Sequence, residues 1–146
     1  MNLKTALIAG AAGAIVLTLV HETARHVSDD APRVDIIGER ALAKGMRAMN
    51  MTPPRGNKLY ASAMALDLIS NTLYYALVGI GSKRYVFTRG ALLGAAGGLG
   101  TIVLSPLLGL GRKERGTTTK TQAMTLSWYL LGGFAAATVA RILGRR

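Results

Sequence analysis

The chain has 146 residues, half of them apolar, with 18 glycines, no cysteine and a formal charge of +11. That apolar content excludes a disordered basic protein, and 5% aromatic residues is thin for a water-soluble core. The missing cysteine excludes disulfide frameworks, thiolate nucleophiles, iron–sulfur clusters and cysteine-based zinc sites.

Four stretches are nearly free of charge, and almost every Lys or Arg lies between or beyond them, the distribution expected of a membrane protein with interfacial anchors. The first runs over 3–20. Its opening, Met1-Asn2-Leu3-Lys4, also fits a signal peptide, but His21-Glu22-Thr23 follows Val20 with no small-x-small cleavage site, so it is expected to stay as a span. The other stretches are 60–81, 90–110 and 123–143. Each approaches the roughly 20 residues that cross a hydrocarbon core about 30 Å thick. In lipid the backbone must satisfy its own hydrogen bonds, so even glycine-rich spans are expected to be helical. The fold class is therefore all-α, a single membrane domain over 1–146 built as a bundle of four transmembrane helices.

His21-Glu22-Thr23-Ala24-Arg25-His26 reads as H-E-x-x-x-H, which invites comparison with zinc hydrolases, where imidazoles bind metal and a glutamate activates water. A spacing of five turns the second histidine about 140° away from the first, whereas H-E-x-x-H keeps both on one face. A third ligand would have to be Asp29, Asp30 or Asp35. The plainer expectation is that His21, Glu22 and Arg25 anchor the end of the first span at the interface. After a turn-prone segment, residues 35–51 read as an amphipathic helix between the first and second spans. Ile36, Ile37, Leu42, Met46 and Met49 fall on one side and Arg40, Lys44 and Arg47 on another, suiting either the headgroup plane or the end of the bundle. Thr52-Pro53-Pro54 stops it.

Asp67 lies inside the second span, where a carboxylate is costly unless paired, protonated or hydrated. Ser70, Asn71 and Tyr74 follow at i+3, i+4 and i+7, so the four share a helix face. Two readings stand: a seam binding an ion, proton or small polar ligand, or an interhelical hydrogen-bond cluster that fixes packing. In the third span Gly90, Gly94 and Gly98 recur every four residues and form a groove for a neighbouring backbone; Gly132 and Ala136 offer a matching small face in the fourth. The groove serves either packing within the chain or an oligomer interface. Pro106 should bend or end the third helix. Short basic connections, with Lys83, Arg84 and Arg89 and then Arg112, Lys113, Arg115 and Lys120, make sequential helices antiparallel.

Gly90-Ala91-Leu92-Leu93-Gly94-Ala95-Ala96, leading to Ser105-Pro106-Leu107-Leu108-Gly109-Leu110, resembles the glycine-rich third span of the YagU-like family of bacterial inner-membrane proteins. Ala31-Pro32-Arg33-Val34-Asp35 is similar to that family's Pro-Arg-x-x-Asp segment. The resemblance implies four helices and a bacterial inner membrane, with multi-pass insertion. Termini in the cytoplasm would place seven Lys/Arg inside against eleven for the reverse, but most of the eleven lie in the long first connection, and the dense Arg141, Arg145 and Arg146 tail favours the former.

No phosphate-binding loop, nucleophile–base pair or convincing metal set is legible, and no cofactor is expected. The expected function is non-catalytic: an accessory or assembly subunit of a membrane complex. The alternatives are a small oligomeric ion or solute transporter organised around Asp67, and a membrane hydrolase using a metal at His21, Glu22 and His26. Expected partners are a bilayer with anionic headgroups and another membrane protein or a second copy of the chain; headgroups account for the basic residues without nucleic acid.

Overall fold

The computed structural model describes residues 1–111 and 118–144, and it is helical throughout, with no strand among them. Five α-helices follow in order: α1 Leu3–Val27, α2 Val34–Ala48, α3 Asn57–Ala76, α4 Val86–Leu107 and α5 Thr119–Leu143. Three helices are long and apolar enough to cross a membrane: Leu3–Val27, Lys83–Leu107 and Thr119–Leu143. α3 is of similar length but carries Asp67, Ser70, Asn71 and Thr72, which lowers its hydropathy. Arg112, Lys113, Arg115, Arg145 and Arg146, which entered the orientation argument, lie outside the described residues.

α1 continues seven residues past the expected end of the first span. The extra turns are held by a Glu22–Arg25 pair at i,i+3 and by the His26 ring nitrogen Nδ1, 2.6 Å from the carbonyl of Glu22. Asn2 opens the helix, its side chain accepting from the Thr5 amide at 2.8 Å; Thr118 opens α5 in the same way with the Thr121 amide. The helix expected over 35–51 ends at Ala48, where Asn50 turns the chain with φ 58°. The helix expected over 60–81 ends early, at Ala76, in a 3₁₀ turn over Leu77–Gly79.

Pro106 sits in the last turn of α4, which closes in a Schellman motif: Leu110 donates to the Ser105 carbonyl at 2.8 Å, Gly109 to Pro106 at 3.1 Å, and Gly109 takes φ 67°. α2 lies across this end of the bundle. Arg40 donates to the Leu110 carbonyl and Lys44 to that of Leu108, both at 2.8 Å, so two cations sit at the negative end of the α4 dipole.

α1 packs between α3 and α5, and α5 between α1 and α4, giving the spatial order α3, α1, α5, α4. Although a short connection joins α3 to α4, the two touch little. Tyr74 bridges them, donating to the Leu93 carbonyl at 2.8 Å. The interior is built from small residues, with Ala9, Ala14, Ala136 and Ala137 fully buried, while Leu19, Leu73, Leu92, Leu107 and Ile142 point outward. That is the arrangement of helices that approach closely in lipid rather than around a large apolar core. Gly90, Gly94 and Gly98 face α5. A Cβ at Gly90 would stand 2.5 Å from the Gly133 carbonyl oxygen, one at Gly94 2.7 Å from the Leu130 Cα, and one at Gly98 2.9 Å from the Leu126 Cα. Gly132 and Ala136 face the other way, against Gly13 of α1.

Candidate functional site

The last turns of α1 put Thr18, His21, Glu22 and Arg25 on one face, at i, i+3, i+4 and i+7. α3 does the same with Tyr60, Ala63, Met64 and Asp67. These faces meet under the first turn of α2, and between them lies a cavity of about 30 Å³ lined by Thr18, His21, Glu22, Val34, Asp35, Gly38, Tyr60, Ala63, Met64 and Asp67. A volume of that size holds about two water molecules.

One wall is an ionic cluster. Arg25 pairs with Glu22 at 2.7 Å and with Asp35 at 3.2 Å, and Arg33 pairs with Asp35 at 2.7 Å. The Tyr60 hydroxyl donates to Glu22 at 3.0 Å and accepts from Arg25 at 3.1 Å, with the guanidinium carbon 5.3 Å from the ring centroid. The Asp35 side chain is only 5% exposed. Its burial pushes the carboxyl pKa upward, but hydrogen bonds from Arg33 and the Ile36 amide, with the charges of Arg33 and Arg25, outweigh that and hold it below the ordinary value.

The rest of the cavity is less satisfied. His21 is 8% exposed, with its ring against Trp128 at 4.9 Å and Tyr129 at 6.1 Å between centroids. Its Nε2 and the hydroxyl of Thr18 are both buried without a hydrogen-bond partner in the protein. Leaving either group unsatisfied costs about 1–3 kcal/mol, so both call for a polar occupant. Asp67, two turns along α3 from Tyr60, joins no ion pair among the described residues. Asn71, one turn on along α3, is buried.

The expected seam is thus divided. Asp67 lines the cavity, while Ser70 faces outward and donates to the carbonyls of its own helix, Leu66 at 2.7 Å and Asp67 at 3.1 Å. Tyr74 goes to α4, and its neighbour Tyr75 reaches the centre of the bundle, fully buried, donating to the Tyr129 carbonyl at 2.8 Å. His21 is a buried cavity residue rather than an interfacial anchor, because the helix continues past it and α5 covers it with Trp128. His26 is turned away onto its own helix, and no group of three His, Asp or Glu that could hold a metal ion occurs among the described residues. Sequence reasoning missed Thr18 and Tyr60. Both were within reach of the same spacing rule, since Tyr60 precedes Asp67 by seven residues and Thr18 precedes His21 by three.

Compared with protein-family models, curated proteins and solved structures, the chain has no significant match.

Proposed function

We propose that the chain is a non-catalytic integral membrane protein with four spans, a small ion carrier whose working part is the cavity between α1, α2 and α3. The observation that carries this reading is that Asp67 and His21, from different helices, line one small, partly open cavity into which the His21 Nε2 and the Thr18 hydroxyl bring polar atoms without a protein partner. The fourth span is α3. Leu66, Ile69 and Leu73 form an exposed apolar stripe along it, continued by Leu77 and Ile80 just past its end, while Ala63, Asn71 and Tyr75 turn inward. Apolar outside and polar inside is stable in lipid and a liability in water. Lys4, Lys83, Arg84 and Arg141 cluster at the end that holds both termini, which supports a cytoplasmic placement against anionic headgroups in a bacterial inner membrane.

The test is purified protein reconstituted in sealed vesicles, with uptake of protons and of monovalent cations followed under an imposed gradient. The carrier reading expects flux that Asp67→Asn abolishes while leaving the protein folded. Flux equal to that of empty vesicles refutes it.

A second reading, an accessory or assembly subunit, is favoured by the outer face of α4. Ala96 is exposed, and a Cβ at Gly100, one turn on, meets nothing nearer than the Leu104 Cδ1 at 4.0 Å, leaving a shallow surface for a helix of another protein or a second copy. Native mass spectrometry from mild detergent distinguishes the two: a monomer without partners removes the subunit reading.

A further inference from the structure

We propose that the occupant of this cavity is a single exchangeable proton, held by Asp67 and shared through one or two bound waters with Nε2 of His21. This rests on the carrier reading's choice of site and specifies what the site takes. Charge comes first. Of the three carboxylates in the lining, Glu22 and Asp35 are matched by Arg25 and Arg33, whereas Asp67 has no cation against it among the described residues. The site therefore lacks one positive charge. Size comes second, since about 30 Å³ admits water or one small ion and excludes an organic solute.

Donor chemistry then selects among small cations. The described residues offer no three-ligand set for a transition metal. A hard cation such as sodium prefers oxygen, yet one of the two buried unpaired atoms here belongs to an imidazole. That nitrogen and the Thr18 hydroxyl suit a water that donates to one and accepts from the other. In the tautomer with hydrogen on Nδ1, Asp67 passes its proton to the water as the water passes one of its own to the Nε2 lone pair. The neutral acid and neutral imidazole become carboxylate and imidazolium, and the net charge is unchanged. The charged or titratable groups facing His21 are Glu22 and Arg25 of α1, Asp35 of α2, Tyr60 and Asp67 of α3 and Tyr129 of α5.

The experiment is an infrared pH titration of the full chain in detergent, read at the protonated-carboxyl stretch, with folding followed by circular dichroism. The wild-type minus Asp67→Asn difference should contain one titrating carboxyl band, which returns at a shifted position in Asp67→Glu. His21→Gln should move both its frequency and its midpoint. The absence of such a difference band, or a band that ignores His21→Gln, overturns the proposal, and Asp67→Glu decides the matter if Asp67→Asn does not fold. Titrations in sodium and in choline chloride at equal ionic strength should coincide; a midpoint that falls as sodium rises assigns the site to a metal cation and overturns the proton. Vesicle flux separates the two claims. A titrating band without flux leaves the proton site and removes the carrier function, whereas flux without the band removes the site.

Discussion

Gly94 is where the bundle tolerates least. A Cβ there would stand 2.7 Å from both the Leu130 Cα and the Tyr129 carbonyl oxygen and 3.1 Å from the Leu130 amide nitrogen. All three are backbone atoms of α5, so no side chain can rotate aside. Ordinary contact begins near 3.4 Å, and Gly94→Ala therefore has to part α4 from α5 by about 0.7 Å. The separation also loosens the contacts at Gly90 and Gly98, four residues to either side. Overpacking of this kind costs about 1–3 kcal/mol. At about 2 kcal/mol the folded-to-unfolded ratio falls about thirtyfold. Gly100→Ala is the control, because its new methyl enters open space and alanine is the better helix former by about 0.5–1 kcal/mol. Thermal unfolding of both variants in one detergent, followed by circular dichroism, gives the comparison. Equal midpoints would refute the claim that backbone approach between α4 and α5 holds the bundle, and Gly94→Leu should then also be tolerated.

Single cysteines at Ser28 and Thr118 should label from one side of the membrane and those at Ser82 and Gly144 from the other, since Asp30 pairs with Lys120 at one end and Lys83 reaches the Gly144 carbonyl at the other. Labelling of Ser28 and Ser82 from the same side would break the four-span arrangement. Replacing Arg40 and Lys44 together by alanine should speed amide exchange in α2 and at 108–110 while leaving α5 unchanged; uniform acceleration would mean that α2 is integral to bundle stability. Asp35 contributes to α2 docking with a definite sign. Its folded pKa lies below the ordinary 3.8, so its contribution is present at neutral pH, declines as pH falls below about 3.8 and is gone beneath the folded value. The exchange difference between wild type and Asp35→Asn should therefore be flat from pH 5 to 8 and shrink in acid, and a difference growing in acid would reverse the sign assigned to the ion pairs.

The helical class and three of the spans were legible because hydropathy over some 20 residues is a local property. Four-residue spacing was equally legible in Gly90, Gly94 and Gly98, although which helix they meet was not. Helix ends were read less well. The first span was closed where charge begins, at His21, but charge ends a hydrocarbon crossing without ending a helix, and α1 runs on to Val27. The site was half legible. Asp67 stood out by its depth in an apolar stretch, while His21 was set beside His26 because they are neighbours in sequence. Asp67, which lines the same cavity, is 46 residues away and reaches it through the packing of α3 on α1, which no local pattern records. Ser70 was grouped with Asp67 by angle, yet it lies far enough round the helix to face outward.

The spatial order α3, α1, α5, α4 bears on how the molecule is made. α5 separates α1 from α4 but follows both in the chain, so during synthesis the two helices it will join are made before their partner exists. Until it inserts, the groove at Gly90, Gly94 and Gly98 has nothing in it, and the Tyr75 hydroxyl has no Tyr129 carbonyl to meet. A chain that ends before Thr119 therefore keeps α1 packed on α3, with α4 held only through Tyr74 and the Arg40 and Lys44 contacts at its end.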